Sequence, residues 1–286
     1  MKHGKIIFNN TQTPDLLTKA PHMKLYSGII ALMLMQTSFA QSVTEKTIIY
    51  SEKVKDSFEL YVSTPAIIED LKTYNVVYYC DANLKSGRKL RELISSDTYK
   101  EKTANTIFVG VGHIGNFHVL RRRDYILPTI KNGDTLARDE KYGHIEDFYQ
   151  FLKTELIPKI NSKYRTNNEN NSILGHSLGG LFAFYCLFKN ETLFTNYYAL
   201  SPALWIDHYN IYEFNKLDSG NINERHLYFS TGGREVMNHI RKGTNRMNKF
   251  LNDKKYDQLM YRYDIHKRKT HNAQVPLSLD YILKQP

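Results

Sequence analysis

The most constraining feature of this sequence is the segment Gly175-His176-Ser177-Leu178-Gly179, which has the pattern G-x-S-x-G. A short apolar run precedes this segment and a long apolar run follows it, so it lies between a predicted strand and a predicted helix. In that context the serine occupies a sharp turn that holds its hydroxyl clear of the sheet, and the glycines avoid a collision between strand and helix. The pattern therefore predicts a nucleophile at Ser177 and an oxyanion donor in the N–H of Leu178. The alternative is a glycine-rich tight turn with a buried serine.

The order of strand and helix patterns predicts the fold class. Apolar, β-rich runs occur at 75–80, 106–111, 172–174, 197–200, 226–230 and 258–265, and helical patterns occur at 89–94, 145–160, 178–188, 237–251 and 277–283. Strands that alternate with helices predict an α/β fold with a mostly parallel sheet and helices on both faces. Two shorter runs, 47–50 and 58–62, flank a polar segment and predict an N-terminal antiparallel hairpin.

Composition excludes several classes of protein. Of the 286 residues, 41% are hydrophobic and 24% are charged, which excludes a disordered chain and a coiled coil. Two cysteines form neither a disulfide framework nor a four-ligand zinc knuckle. Cys80 and Cys186 lie in apolar runs typical of buried free thiols, although they could pair outside the cytoplasm. The formal net charge of +10 permits an anionic substrate, nucleic acid or an acidic surface and does not choose among them.

The N-terminal segment has the pattern of a secretory signal peptide. Lys24 precedes an apolar run over 28–35, and small residues then precede a cleavage site after Ala40. The run is far shorter than the ~20 apolar residues that span a bilayer, so we expect export to the periplasm or the medium without a stable membrane anchor. This interpretation divides the chain into a leader at 1–40 and a single domain at 41–286. The alternative is a buried N-terminal helix, and the choice of Met1 or Met23 as initiator stays open.

A second glycine pattern, G-x-G-x-x-G at 110–115, follows a predicted strand and is typical of dinucleotide sites. The next segment, NFHVLRRRDYILP, is charged and ends in proline, so we expect no helix packed on the sheet and no nucleotide cofactor. His113 and His118 lack the spacing of a zinc-binding helix and an evident third ligand, so we expect no metal site. Nucleic-acid binding would need a continuous basic face, and export argues against it.

Several segments resemble one known family. The segment around Ser177 resembles the nucleophile turn of α/β-hydrolases of the Putative esterase family. That family includes esterase D-like enzymes, feruloyl and acetylxylan esterases, and trilactone esterases that act on catecholate siderophores. Further segments within 45–285 resemble it in order along the chain: NVVYYCDAN, RRRDYILP, FLKTELIPKINSKYRT, ALSPALW and HNAQVP. The resemblance is closest to the siderophore-esterase branch.

The resemblance implies an α/β-hydrolase fold and an activity. The expected reaction is hydrolysis of a carboxylic ester through an acyl-enzyme, without a metal or organic cofactor. The expected substrate is a small ester, such as an anionic siderophore trilactone or an acylated aromatic or carbohydrate ester. Two alternatives stay open: acyl transfer by the same residues, and a degraded hydrolase fold that only binds a ligand.

A serine hydroxyl needs a base that takes its proton, and α/β-hydrolases have the chain order serine, acid, histidine. Two histidines, His266 and His271, remain late enough in the chain, and the resemblance places the base at His271, in the loop before the final helix. Glu235 is the only carboxylate in the loop TGGREV, so it is the candidate acid. Glu235 could instead favour the N-terminus of the following helix, and Asp253 and Asp257 are weaker candidates.

The second oxyanion donor is expected in the loop after the strand at 75–80. The candidates are the backbone N–H groups of Ala82 and Asn83. The family often has glycine where Ala82 stands, so this chain departs from the family's pattern at the turn.

Substrate-binding candidates follow the ends of other strands, because open α/β sheets bind ligands at that edge. Arg121 and Arg123, together with Tyr125, would face an anionic substrate there. The alternative is a solvated charge run in which Arg123 pairs with Asp124. The resemblance places Trp205 at the pocket wall, and the alternative for Trp205 is a packing aromatic.

Overall fold

In the computed structural model of the protein, the described residues are 42–131, 134–135, 142–217, 224–235 and 238–285. The predicted leader at 1–40, with both candidate initiators and the boundary after Ala40, lies outside these residues. The described residues therefore all belong to the domain predicted at 41–286.

One eight-stranded sheet forms the centre of the described fold. Its strands are β1 (Val43–Ser51), β2 (Asp56–Thr64), β3 (Tyr74–Tyr79), β4 (Thr106–His113), β7 (Thr166–His176), β8 (Asn196–Leu200), β9 (Arg225–Gly232) and β10 (Leu259–His266), and the short β5 (Ile130–Lys131) and β6 (Asp134–Thr135) pair separately. The order across the sheet is β1-β2-β4-β3-β7-β8-β9-β10. β2 is antiparallel to both β1 and β4, whereas every pair from β4 to β10 in that order is parallel. The predicted α/β-hydrolase fold with an N-terminal antiparallel hairpin is confirmed.

Helices cover both faces of the sheet. They are α1 (Lys85–Ile94), α2 (Phe117–Tyr125), α3 (Ile145–Phe151), α4 (Ile157–Lys163), α5 (Leu178–Phe188), α6 (Asn238–Lys254) and α7 (Val275–Leu283), with a π-helical segment (Leu152–Leu156) between α3 and α4 and a 3-10 segment (Ile206–Phe214) after β8. Successive strand residues point to opposite faces, so Val76 and Tyr78 belong to the core with α3 to α6, whereas Val77 and Tyr79 belong to the core with α1 and α7.

Two differences from the sequence-based prediction have a clear structural cause. β7 begins at Thr166, six residues before the apolar run at 172–174, because the polar residues that precede that run still pair with β3. The residues after the second glycine pattern do form a helix, α2, so the expectation of no helix there was wrong. Asn116 caps that helix, since its side chain accepts a hydrogen bond from the backbone N–H of His118. The prediction was based on the charges and the terminal proline of the segment and did not take the N-cap at Asn116 into account.

Candidate active site

The candidate site residues lie where parallel strands end. Ser177 follows β7, and the other segments are Asp81–Asn83 after β3, Arg121–Tyr125 after β4, Ser201–Trp205 after β8, Glu235 after β9 and His271 after β10. Since the carboxyl ends of parallel strands meet at one edge of a sheet, residues far apart in the sequence come to the same edge.

Ser177 occupies a sharp turn between β7 and α5. Its backbone has φ 61° and ψ −115°, a conformation that L-residues rarely adopt. The turn is tight because Gly175 has no Cβ, which would collide with the carbonyl of Gly179. A Cβ on Gly179 would in turn lie 2.9 Å from the Cβ of Cys80 on the neighbouring strand end. The glycines of the motif therefore serve the close packing of strand and helix that the sequence predicts.

Backbone hydrogen bonds hold this turn in place. The N–H of Ser177 donates to the carbonyl of Leu200 at 2.9 Å, and the carbonyl of Ser177 accepts from Ala203 at 3.0 Å. Both partners lie at or just after the end of β8, so the neighbouring strand fixes the serine. Among the described residues, nothing hydrogen-bonds to Oγ of Ser177, which leaves the hydroxyl available to a reactant.

Glu235 and His271 form a hydrogen-bonded pair. Nδ1 of His271 lies 3.0 Å from Oε2 of Glu235, and the side chains are 20% and 1% exposed. The other oxygen, Oε1, accepts from the hydroxyl of Ser201 at 2.6 Å, the N–H of Gly232 at 3.0 Å and the hydroxyl of Thr231 at 3.2 Å. Burial by itself would raise the pKa of Glu235, but the hydrogen bonds from His271, Ser201 and Gly232 outweigh burial and lower that pKa. The carboxylate is therefore held in its charged form.

His266, the other candidate base, belongs to a different network. Its Nε2 lies 2.9 Å from the hydroxyl of Ser278 on α7 and 3.4 Å from that of Tyr228. Burial lowers the pKa of His266. His271 is therefore the one of the two histidines that pairs with the candidate acid.

The structure also places His176, which sequence reasoning passed over, against His271. Nε2 of His176 lies 3.1 Å from the carbonyl oxygen of His271, and the two rings are 4.5 Å apart between centroids. Burial, followed by the charge of His271, lowers the pKa of His176 to about 3, so it is neutral and donates from Nε2–H. Its position inside the G-x-S-x-G motif was the available signal, because that places it next to the candidate nucleophile.

Of the two candidates for the second oxyanion donor, the structure favours Asn83 over Ala82. Ala82 is fully buried and its N–H already donates to the carbonyl of Val111 at 3.0 Å, so Ala82 cannot supply the donor. The N–H of Asn83 has no acceptor among the described residues. The N–H of Leu178 also lacks one, as expected for the first residue of a helix.

The expected binding roles of the two arginines are corrected by their partners. Arg121 donates from two nitrogens to both carboxylate oxygens of Asp81, at 2.7 and 2.8 Å. Arg123 donates to Asp124 at 2.6 and 3.0 Å and to Asp56 at 2.8 Å. Each positive charge is already neutralised by a carboxylate, so neither guanidinium is available as the main attraction for an anionic substrate.

The prediction that Tyr125 faces a substrate is also wrong. It is fully buried, and its ring packs 5.1 Å from that of Phe148 and 5.8 Å from that of Phe182. It belongs to the core beneath α2 and cannot contact a substrate. Trp205 is only half-buried, at the edge of the sheet that carries Ser177, and its ring lies 5.5 Å from that of His239.

The second glycine pattern has a packing explanation. A Cβ on Gly110 would collide with the ring of Tyr79, and a Cβ on Gly112 would lie 2.8 Å from the side chain of Asn83. These glycines leave room for side chains of the neighbouring β3 and of the loop that follows it. The pattern therefore reflects close contact between strands β3 and β4.

Cys80 and Cys186 are buried free thiols. Within the described ranges, no cluster of three or more histidine, cysteine or acidic residues could hold a metal ion. No helix in the same ranges is both long and apolar enough to cross a bilayer.

A groove of about 790 Å³ lies away from Ser177. It is lined by residues at the amino ends of the parallel strands, among them Asn75, Thr106, Asn196 and His226, and by the end of α7. The candidate nucleophile lies at the opposite edge of the sheet, so this groove is separate from the site described above.

Comparison with known proteins agrees with the fold and with the family resemblance. The family model described as Putative esterase matches residues 51–272. The chain is 29% identical over 169 residues to the ferri-bacillibactin esterase BesA of Bacillus subtilis, covering 56% of this chain and 58% of that protein. It is 26% identical over 145 residues to a siderophore enterobactin esterase of Emericella nidulans, covering 47% of this chain and 48% of that protein. The matches thus span about half the length of these curated relatives.

A solved structure supports the same fold over more of the chain. The BES protein from Bacillus cereus superposes with a TM-score of 0.71 at 26% identity, covering 84% of this chain and 94% of that one. The siderophore hydrolase EstA from Aspergillus nidulans, at 20% identity and a TM-score of 0.66, shares the fold.

Proposed function

We propose that this chain, which belongs to the Putative esterase family, hydrolyses a carboxylic ester through an acyl intermediate on Ser177. The observation that carries the proposal is the pair of His271 and Glu235, 3.0 Å apart, at the sheet edge where Ser177 occupies its strained turn. A nucleophile, a base and an acid that orients the base are the parts that serine hydrolases need.

The first half of the reaction acylates the serine. His271 takes the proton of the Ser177 hydroxyl on Nε2 while Oγ attacks the ester carbonyl carbon. Glu235, bonded at Nδ1, orients the ring and stabilises the imidazolium that forms. The N–H groups of Leu178 and Asn83 stabilise the negative charge on the carbonyl oxygen. The tetrahedral intermediate collapses, and the alcohol leaves with the proton from His271.

The second half releases the acid. Water enters beside His271, whose side chain is 20% exposed, and gives a proton to the imidazole as it attacks the acyl carbon. The second tetrahedral intermediate breaks its bond to Oγ of Ser177, which recovers its proton from His271. The products are a carboxylic acid and the free enzyme, and no step requires a metal or organic cofactor.

The proposed substrate is an ester of a siderophore. Support comes from the relatives: the matched proteins are named as esterases of ferri-bacillibactin, enterobactin, salmochelin and triacetylfusarinine C. All four are named as esterases, and the enterobactin and triacetylfusarinine C enzymes are named as siderophore esterases. Because Arg121 and Arg123 are each paired with a carboxylate, we expect groups other than their charges to supply most of the attraction for an anionic siderophore.

We also propose that the protein is exported. The support is the signal-peptide pattern at 23–40, which is removed when the mature chain begins at Gln41. Expression of the full chain followed by N-terminal sequencing of the exported product tests this. A mature protein that keeps residues 1–40 would contradict it.

A burst experiment tests the catalytic proposal. Wild-type protein and Ser177→Ala are mixed with p-nitrophenyl acetate and butyrate, and a matched Ser162→Ala variant changes an exposed serine on α4. We expect a burst and turnover in the wild type and in Ser162→Ala only. Siderophore trilactones are then followed by mass spectrometry for ring-opened products. Equal inertness of wild type and Ser177→Ala, together with resistance to an active-serine phosphonate, would contradict the proposal.

A further inference from the structure

Asp81 lies in an unusual conformation directly after β3. Its φ is 58°, in the left-handed region that aspartate tolerates better than most residues, and its side chain is 2% exposed. A buried carboxylate without a partner would be strongly destabilising. The position therefore depends on a cation that reaches it from another element.

Arg121 on α2 is that cation. Its Nε and a terminal nitrogen bind one carboxylate oxygen each, at 2.7 and 2.8 Å, and the arginine side chain is 14% exposed. Two parallel hydrogen bonds of this kind fix direction as well as distance, which a lysine cannot do. The ion pair thus ties the loop after β3 to the helix that follows β4.

The loop held in this way ends at Asn83. The carbonyl of Asp81 accepts from the N–H of Leu84 at 2.9 Å, which closes a turn around Ala82 and Asn83. The side-chain amide of Asn83 donates to the carbonyl of His113 at 2.8 Å. The backbone N–H of Asn83 is left without an acceptor in the described structure, so the turn sets where it points.

Asp81 also lies close to the helix turn that carries the other proposed oxyanion donor, the N–H of Leu178. A Cβ on Gly179, in the first turn of α5, would lie 3.4 Å from Oδ2 of Asp81. The carboxylate therefore lies against the helix turn that begins with Leu178. An unpaired negative charge at this place would oppose the negative charge that develops on the ester oxygen.

We propose that Arg121 is a positioning residue of the reaction: through Asp81 it orients the Asn83 N–H and neutralises the carboxylate beside the oxyanion site. This role replaces the substrate contact that the sequence suggests, and it rests on the proposed ester hydrolysis. Because the arginine acts on the transition state through the loop, its loss affects kcat and leaves KM nearly unchanged.

The test compares four variants of the full chain with the wild type and with Ser177→Ala. They are Arg121→Gln, Arg121→Lys, the double variant Asp81→Asn/Arg121→Gln, and Arg165→Gln as a control at an exposed arginine near the amino end of β7. The measurements are kcat and KM on p-nitrophenyl acetate, inhibition by a neutral boronic acid that forms a tetrahedral adduct with the serine, and melting temperature.

We expect Arg121→Gln to lower kcat by about 10-fold or more, with the roughly 10²–10³-fold effect of losing an oxyanion donor outright as the upper limit. Inhibition by the boronic acid weakens in parallel, because the adduct places an oxygen at the same N–H groups. Arg121→Lys keeps the charge without the paired bonds and falls between wild type and Arg121→Gln. The double variant removes the unpaired carboxylate and recovers part of the lost kcat, and Arg165→Gln equals the wild type.

Three results would overturn the proposal: a folded Arg121→Gln with wild-type kcat, a loss confined to KM, or a double variant with full wild-type kcat. The double variant decides the matter when Arg121→Gln does not fold. If the wild type shows no Ser177-dependent turnover, the proposed function fails separately. In that case the loop is tested by hydrogen exchange at the amide of Ala82, which donates to the carbonyl of Val111. We expect this amide to exchange faster in the double variant than in the wild type. Unchanged exchange would overturn the inference.

Discussion

The hydroxyl of Ser201 donates a 2.6 Å hydrogen bond to Glu235, on the carboxylate oxygen that does not face His271. Ser201 has a φ of 41°, and its own N–H donates to the carbonyl of Ser230 at 2.8 Å. A strained residue of this kind costs about 1–3 kcal/mol and persists only where its surroundings hold it. The surroundings of Ser201 hold its hydroxyl against the carboxylate, so Glu235 is oriented before a substrate arrives.

Replacing Ser201 with alanine removes one of the donors to Glu235. The N–H of Gly232 and the hydroxyl of Thr231 remain, so we expect a partial loss, with kcat/KM about 5- to 10-fold lower, from a hydrogen bond to a charged group. The pKa of Glu235 rises, because the lost bond is one of those that lower it. Steady-state kinetics at several pH values check both effects. Unchanged kcat/KM would show that the other two donors suffice.

Replacing Glu235 with glutamine keeps the shape of the acid and removes its charge. The imidazolium of His271 then loses its stabilising partner, and the amide can hold Nδ1 in the wrong tautomer. We expect kcat/KM to fall by about 10²–10⁴-fold, as in other triads that lose the acid. Glu224→Gln is the control, because its side chain is 63% exposed. A wild-type rate in Glu235→Gln would mean that a serine–histidine pair is sufficient.

The parts of the site that follow from local sequence were predictable. The sharp turn at Ser177 is formed by one contiguous motif, whose glycines allow strand and helix to pack closely. Its geometry therefore depends on residues that are neighbours in the sequence. Chain order reduced the candidate bases to His266 and His271, and the family resemblance selected His271, which the structure pairs with Glu235. The confirmed α/β order likewise came from apolar runs that alternate along the chain.

The partners of charged side chains were not predictable in the same way. Arg121 and Asp81 are 40 residues apart, and only the pairing of β3 with β4 brings them together. A run of arginines in a sequence does not indicate which carboxylate will pair with each guanidinium group. The hydrogen bond donated by the N–H of Ala82 also depends on tertiary structure, since its acceptor belongs to the neighbouring strand.

Placing a methyl group on Gly112 tests the assignment of Asn83 to the oxyanion site. The new Cβ would lie 2.8 Å from the side chain of Asn83, which must shift and carry its backbone along. We expect Gly112→Ala to lower kcat by about 10-fold or more with KM nearly unchanged, since small displacements at such sites are costly. Gly243→Ala is the control, because its nearest contact would be an ordinary 3.4 Å. A normal kcat in a folded Gly112→Ala would argue against Asn83.

The neutral state of His176 predicts how stability depends on pH. Burial lowers the pKa of His176 to about 3 from 6.5, so between these values the unfolded chain binds a proton that the folded chain does not. The free energy of unfolding therefore falls as pH drops below 6.5, by at most about 1.4 kcal/mol per pH unit from this group. Glu235, whose pKa is lowered from 4.5, adds to this fall only at lower pH.

Urea unfolding at pH 7, 6 and 5 measures this slope. His176→Gln removes the titrating group, so we expect its unfolding free energy to fall less steeply with acid than that of the wild type. His118→Gln changes an exposed histidine and serves as the matched control for the loss of an imidazole. Parallel slopes for His176→Gln and the wild type would mean that the folded protein protonates His176 as readily as the unfolded chain does. That result would contradict a neutral His176 that donates to the carbonyl of His271.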